Sequence, residues 1–293
     1  MPLGATRLNS ISLPAAGPAG DPGLKGIQVS DYVYTGSLNY YDESTVGHTD
    51  SDGRQITLSV WFRDDNTAPY TGTEHVFFRA RNGSGGYAYL AFQYTRGSAR
   101  FLSRSAVDTS FDLDIRFGVD GGGGGYGSGT YDDGNWHHVM ISGDGSTSTF
   151  KLYVDGTELT AGSQSATTYN AAALNYSQDW WNGDHYDRFY LLAESTGAGQ
   201  CGLEVAQLYV DNAHNDLSSA TVRQKFYDGG AVDMGSDGTS SGLAQPLMFH
   251  AGDSTTFTTN GGTGGFSYSL STNDPSPPST LNDIAAEDGP QFA

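Results

Sequence analysis

Cysteine is almost absent. Cys201 is the single one in 293 residues, so no intramolecular disulfide can staple the fold, and the chain is not a disulfide-framed secreted module. Basic residues are scarce as well: 14 Lys and Arg stand against 33 Asp and Glu, for a formal charge of −19. A surface of that sign repels phosphate, which argues against nucleic acid or an anionic membrane as a direct partner. No apolar run approaches the roughly 20 residues of a membrane span. The opening residues, MPLGATRLNSISLPAAGPAG, lack a basic stretch leading into an apolar one. No signal peptide is therefore expected, and the chain is expected to fold in a cytoplasm. Glutamate is sparse: none of Glu43, Glu74, Glu158, Glu194, Glu204 and Glu287 has another carboxylate two residues away.

Glycine and aromatics are abundant, with 41 Gly, 18 Tyr and 14 Phe. That mixture suits many short strands joined by tight turns around a real core. The clearest stretch runs from Asp133 to Leu159. Trp136, His138 and Met140 fall on one side of a period-2 pattern and His137, Val139 and Ile141 on the other. Gly143 to Ser146 reads as a turn, and Phe150, Leu152 and Val154 as the core face of a return strand. Asp155-Gly156 is a strong hairpin signal.

Similar alternation recurs along the chain. Ile56, Leu58, Val60 and Phe62 oppose Thr57, Ser59, Trp61 and Arg63. His75 to Arg81, Tyr87 to Tyr94, Ala99 to Ser103, Phe111 to Val119, Arg188 to Ala193 and Gly202 to Val210 also read as strands. Strands at this spacing, with Gly-rich turns between them, predict a sandwich or barrel. The one good helix candidate is Leu217 to Phe226, with Ser218 as N-cap and Val222 and Phe226 on one face. Residues 1–25 form a Pro/Gly/Ala arm, Leu247 to Phe249 reads as a short strand, and the Pro-rich end from Asp274 onward reads as a second arm. Ordered arms of this composition are usually held by something, either the domain itself or neighbouring subunits, and homo-oligomerisation is the expectation that rests on them.

Catalytic and metal patterns are weak. Asp112-Leu-Asp114 offers two alternating acids, but the next alternate position is Arg116, so the pair of carboxylates that glycan hydrolysis needs is incomplete. His137 and His138 are adjacent on a strand and face opposite sides, which prevents their sharing an ion. No zinc spacing and no GxSxG elbow occur. Calcium would take loop carboxylates, and the sequence does not say which; no other cofactor is expected. The remaining chemistry is that of a glycan site. Trp180, Trp181, Asn182, Asp184, His185, Tyr186 and Asp187 supply rings for stacking and polar groups for hydroxyls within a few residues. Tyr126, at the end of the Gly121–Gly125 run, is presented as binding loops present a ring. The same residues also fit a plainer role, with a tryptophan closing the sandwich edge and the rest solvated.

Asp133-Gly-Asn-Trp-His-His-Val139 followed by Lys151-Leu-Tyr-Val-Asp-Gly-Thr-Glu-Leu159 resembles the core hairpin of laminin-G-like, concanavalin A-like jelly rolls. Ile56 to Arg63 resembles the early "TLSVWF" strand of that family, and Cys201 to Val210 its late strand before a short helix. The segments Phe226 to Gly238, Gln245 to Phe249 and Phe257 to Gly262 resemble a tail that tailed-phage virion proteins append to such a domain. The resemblance implies an all-β antiparallel sandwich over residues 26–230, with one short helix, between an arm at 1–25 and an extension at 231–293. It further implies a non-enzymatic virion structural protein, a capsid decoration, spike or fibre component. Such a protein would display a lectin-like jelly roll to host-surface glycans and contact other virion proteins, and its location would be the virion. A free-standing bacterial glycan-binding module and, third, a polysaccharide hydrolase are the alternatives.

Overall fold

The computed structural model describes residues 23–30, 55–64, 75–81, 89–95, 98–104, 113–117, 131, 133–147, 149–159, 188–191, 203–264 and 280–293. Its strands are β1 (Gly26–Ser30), β2 (Gln55–Arg63), β3 (His75–Arg81), β4 (Tyr89–Thr95), β5 (Ser98–Arg104), β6 (Leu113–Phe117) and β7 (Trp136–Asp144). After these come β8 (Thr149–Val154), β9 (Thr157–Glu158), β10 (Arg188–Leu191), β11 (Glu204–Asp211), the helix α1 (Ala220–Arg223), β12 (Met248–His250) and β13 (Thr280–Ile284). Among the described residues these strands pair antiparallel throughout. They build an eight-stranded sheet in the order β13-β1-β11-β2-β7-β8-β9, with β12 also on β11, and a five-stranded sheet in the order β10-β3-β4-β5-β6. The all-β sandwich expected from the alternation is present.

The period-2 pattern explains how the two sheets meet. Ile56, Leu58, Val60 and Phe62 of β2 face inward, beside Val139 and Ile141 of β7 and Leu152 and Val154 of β8, all nearly inaccessible. Phe62 packs on Phe77 of the other sheet at 5.5 Å between ring centres, and Phe101 packs on Phe150 at 5.7 Å. Burying each such side chain is worth about 1.5–3 kcal/mol.

The opposite face of the large sheet is buried too. Met140, Tyr153 and Tyr209 project from it into a second cluster with Leu217, Phe226, Met234, Leu243 and Phe249. Trp61 and Ala206 meet Leu24 and Ala231, with Trp136, Tyr227 and Phe292 packed alongside. Polar bonds fasten this outer layer. The Thr57 hydroxyl donates to Ala213 O at 2.7 Å, and the Ser142 hydroxyl to Asn215 O at 2.6 Å. The last residues close it: Leu24 N donates to Pro290 O, Ala231 N donates to Gln291 O, and Asp288 O accepts from Trp136 Nε1 and Arg63. The Arg63 guanidinium also lies over the Trp136 ring and pairs with Glu204.

Four local expectations shift. The helix is four residues long rather than ten, and its N-cap is Ser219 without a side-chain bond. Asp216 turns the chain first by accepting Ser218 N, and Arg223 takes the carbonyls of Leu217 and Ser218 that a longer helix would have used. β7 runs on through Asp144, so the turn begins at Gly145, where the Asp144 carboxylate accepts both Ser146 N and its hydroxyl. The Pro-rich end is not wholly an arm: Thr280–Ile284 pairs along the full length of β1. The strand expected at Leu247–Phe249 lies at Met248–His250, on β11. Cys201 falls outside the described residues.

Candidate functional site

The aromatic-polar stretch Trp180, Trp181, Asn182, Asp184, His185, Tyr186 and Asp187 lies outside the described residues, as do Tyr126 and Asp112. What the fold describes is where the chain meets those stretches. β10, which follows Asp187, is one edge of the five-stranded sheet, and β6, which precedes Tyr126, is the other. Arg188 pairs with Arg81, in the row that continues through Tyr89 to Arg104. β6 ends at Phe117, opposite Ala99, at the far end of that sheet. The chain thus leaves β6 and enters β10 at diagonal corners. Asp114 lies in β6, opposite Leu102.

Among the described residues a cluster of titratable groups surrounds the start of β7; the sequence singled out His137 and His138 but not their carboxylate partners. The signal was available: the hairpin pairing sets Val154 opposite Val139, which brings Asp155 up to the histidine pair. His137 and His138 part to opposite faces of the sheet, as adjacent strand residues must. His137 sits at the rim of the inter-sheet core, against the rings of Phe62 and Tyr131. Its Nδ1 is 2.8 Å from Asp155 Oδ2 and its Nε2 is 3.1 Å from Asp133 Oδ1. Burial disfavours its charged form, but the bonds and charges of Asp155 and Asp133 outweigh that and raise its pKa. Asp133 is held below the usual carboxylate range: burial opposes ionisation, and the bonds from Asn135 and His137 override it. These three groups do not converge on one point, because each ring nitrogen is spent on a different carboxylate. Among the described residues no group of three or more His, Cys, Asp or Glu is placed to hold a metal ion.

His138 is the contrary case. It is wholly inaccessible, with Nε2 at 2.8 Å from the Ser59 hydroxyl and its ring stacked on Tyr227 and tilted against Trp61. Burial pushes its pKa down to about 3. A Ser–His pair sealed under Tyr227 cannot meet a substrate, so it packs the sheet and performs no nucleophilic chemistry. Trp61 likewise belongs to this buried layer, and Trp136 packs against it.

The outer layer has a chemical consequence. A polysaccharide cleft on a sheet would need that sheet's outer face open, with a pair of carboxylates beside the bond to be cut. On the large sheet that face is filled by the chain's own residues from Leu217 to Phe249. Among the described residues, no helix is long and apolar enough to cross a membrane.

No curated protein matches the chain. Solved structures that resemble it include domains LG4-5 of the mouse laminin alpha1 chain, at 13% identity and a TM-score of 0.40 over 69% of this chain and 48% of that one. The K499G mutant of NanB sialidase from Streptococcus pneumoniae aligns at 15% identity and a TM-score of 0.38, over 80% of this chain and 30% of the sialidase. The CBM40 module of Ruminococcus gnavus IT-sialidase, bound to alpha2,6 sialyllactose, aligns at 16% and 0.40 over 68% and 96%. The chain thus spans less than half the length of the laminin and NanB chains. The family that matches residues 38–190, just over half of the sequence, is described by the same fold, and on that match the chain belongs to the concanavalin A-like lectin/glucanases superfamily.

Proposed function

We propose that this chain is a non-enzymatic glycan-binding module, carried on a tailed-phage virion and used to adhere to host-surface glycans. The observation that supports the non-enzymatic part is the burial of both faces of β2, β7 and β11, at the centre of the eight-stranded sheet. With no open cleft on that sheet, recognition falls to segments bordering the five-stranded one. Trp180, Trp181, Asn182, Asp184, His185, Tyr186 and Asp187 lead directly into its edge strand β10. In this reading the tryptophans stack on a sugar face while the Asp and Asn side chains bind hydroxyls, with Tyr126 as a further ring.

Two features support the virion part. The tail from Phe226 onward resembles segments that phage virion proteins append to such a domain, and the charge of −19 suits a self-repelling, displayed surface. Cryo-EM of the native particle, with the chain traced to its neighbours, tests the placement, and a glycan array with the purified protein tests the ligand class. Arms of several copies threaded into a capsid or tail lattice are expected. A chain absent from the particle would contradict the virion role and leave a free-standing module.

A hydrolytic role has its own test. The account expects no release of reducing ends from bound polysaccharide, and no change in that result on Asp112→Asn or Asp114→Asn. Release abolished by either substitution would reinstate an enzyme.

A further inference from the structure

Both ring nitrogens of His137 face carboxylate oxygens, Nδ1 toward Asp155 at 2.8 Å and Nε2 toward Asp133 at 3.1 Å. A neutral imidazole carries a single N–H. It can donate to one of these carboxylates, and its other nitrogen then turns a lone pair toward an anionic oxygen. Only the imidazolium donates to both. We infer that His137 is a pH-operated clasp, which as an imidazolium ties the turn before β7 to the turn between β8 and β9 and releases one of them when it loses its proton.

The two arms are unequal. Asp155 is fastened to β7 independently of the ring: its Oδ1 accepts His138 N at 2.8 Å and its own N donates to His138 O at 2.9 Å. Asp133 has the longer contact and the more exposed carboxylate, 45% against 38% for Asp155. Its other bond is purely local, to Asn135 N. Deprotonation therefore frees the Asp133 side, at the point where the chain enters β7, and leaves the hairpin turn in place.

The groups around His137 fit this role. Asp133 and Asp155 supply the charge, and the edge-on ring of Tyr131 lies 5.0 Å away. Phe62 contributes an apolar ring from β2, and the buried Asp64, just past the end of that strand, is the next carboxylate along the chain. Arg63 points to the opposite face, against Trp136. The bonds to the two carboxylates raise the His137 pKa above its ordinary value of 6.5. The sign follows directly. A group with a raised folded-state pKa contributes its full stabilisation below the ordinary histidine range, and that contribution disappears as pH rises through the raised value.

The inference is independent of any ligand. An NMR titration of the histidine Cε1–H signals in the full chain tests it, with His137→Gln assigning the resonance. The expected His137 midpoint lies above the roughly 6.5 of a free histidine. Asp133→Asn, a conservative change at an exposed side chain, is expected to lower it by about one unit, a tenfold loss of proton affinity. The neighbouring His138 serves as an internal control and stays neutral across the same range. A wild-type midpoint at or below that of a free histidine would overturn the clasp, as would a midpoint that Asp133→Asn leaves unmoved.

Discussion

Gly156 and Gly134 both hold positive φ, 74° and 77°, yet their surroundings differ. A Cβ on Gly156 would lie 2.8 Å from the Tyr227 ring, whereas one on Gly134 would meet nothing within 4 Å. Gly134→Ala is therefore expected to cost only the strain of a left-handed alanine, about 1 kcal/mol. Gly156→Ala is expected to cost about 2 kcal/mol or more, because Tyr227 must also leave its stack on His138. Urea unfolding of the two variants measures the difference, and equal losses would show that the Tyr227 contact carries no weight. His138 gives a second residue-scale prediction. Its pKa falls from 6.5 to about 3 on folding. The unfolded chain thus binds one more proton between those values, and stability must fall as pH drops through that window. Thermal unfolding from pH 7 to pH 4 is expected to show this acid limb. In His138→Gln the limb should be shallower by close to one proton, about 1.4 kcal/mol per pH unit, although the variant starts less stable. Asp155-Gly156 was legible in the sequence as a tight turn because both residues tolerate positive φ; Asp155 adopts 48°. The Asp133–His137–Asp155 arrangement was legible only in part: Asp133 and His137 lie four residues apart, but placing Asp155 beside them takes the β7–β8 register.

Among the elements, strands with strict alternation were the legible ones. β2, β7 and β8 follow from the period-2 pattern, since each has one face against the other sheet. β11 does not continue that pattern: the register shifts between Ala206 and Tyr209, with Gln207 at φ 43°. The extra residue turns Tyr209 to the same face as Ala206, into the outer cluster, where strict alternation would have turned it away. A one-residue bulge leaves no compositional trace. The outer layer was hard to read for a related reason. Residues from Asn212 to Gly264 are mostly turns anchored one side chain at a time, so no period marks them. Their hydrophobic anchors carry the energy. Phe226, 1% exposed and edge-on to Tyr209 at 5.2 Å, fills the centre of the outer cluster. Phe226→Ala is expected to cost about 3–5 kcal/mol. Val222→Ala, on the partly exposed face of α1, is expected to cost about 1 kcal/mol. Chemical denaturation with both variants checks the ratio, and comparable losses would mean that α1 rather than the Phe226 ring holds the layer.

At the scale of the whole molecule, the sheet order and the family match make the chain a concanavalin A-like sandwich whose larger sheet is covered on both faces at its central strands. That architecture was legible from strand spacing and from the hairpin at Asp133 to Leu159. The candidate glycan residues rest on composition alone: a tryptophan pair beside Asn, Asp and His has no periodicity, and those residues lie outside the described part of the fold. The glycan role proposed for them draws on the chemistry of those side chains and on their place in the sequence before β10. The most direct measurement is calorimetric titration of an array-selected glycan into the wild-type protein and into Trp180→Ala and Trp181→Ala. The account predicts saturable binding to the wild type and at least one variant weakened about tenfold, the loss of one stacking contact, with thermal stability retained. Binding unchanged in both variants, or no binding of any glycan to the wild type, would contradict it.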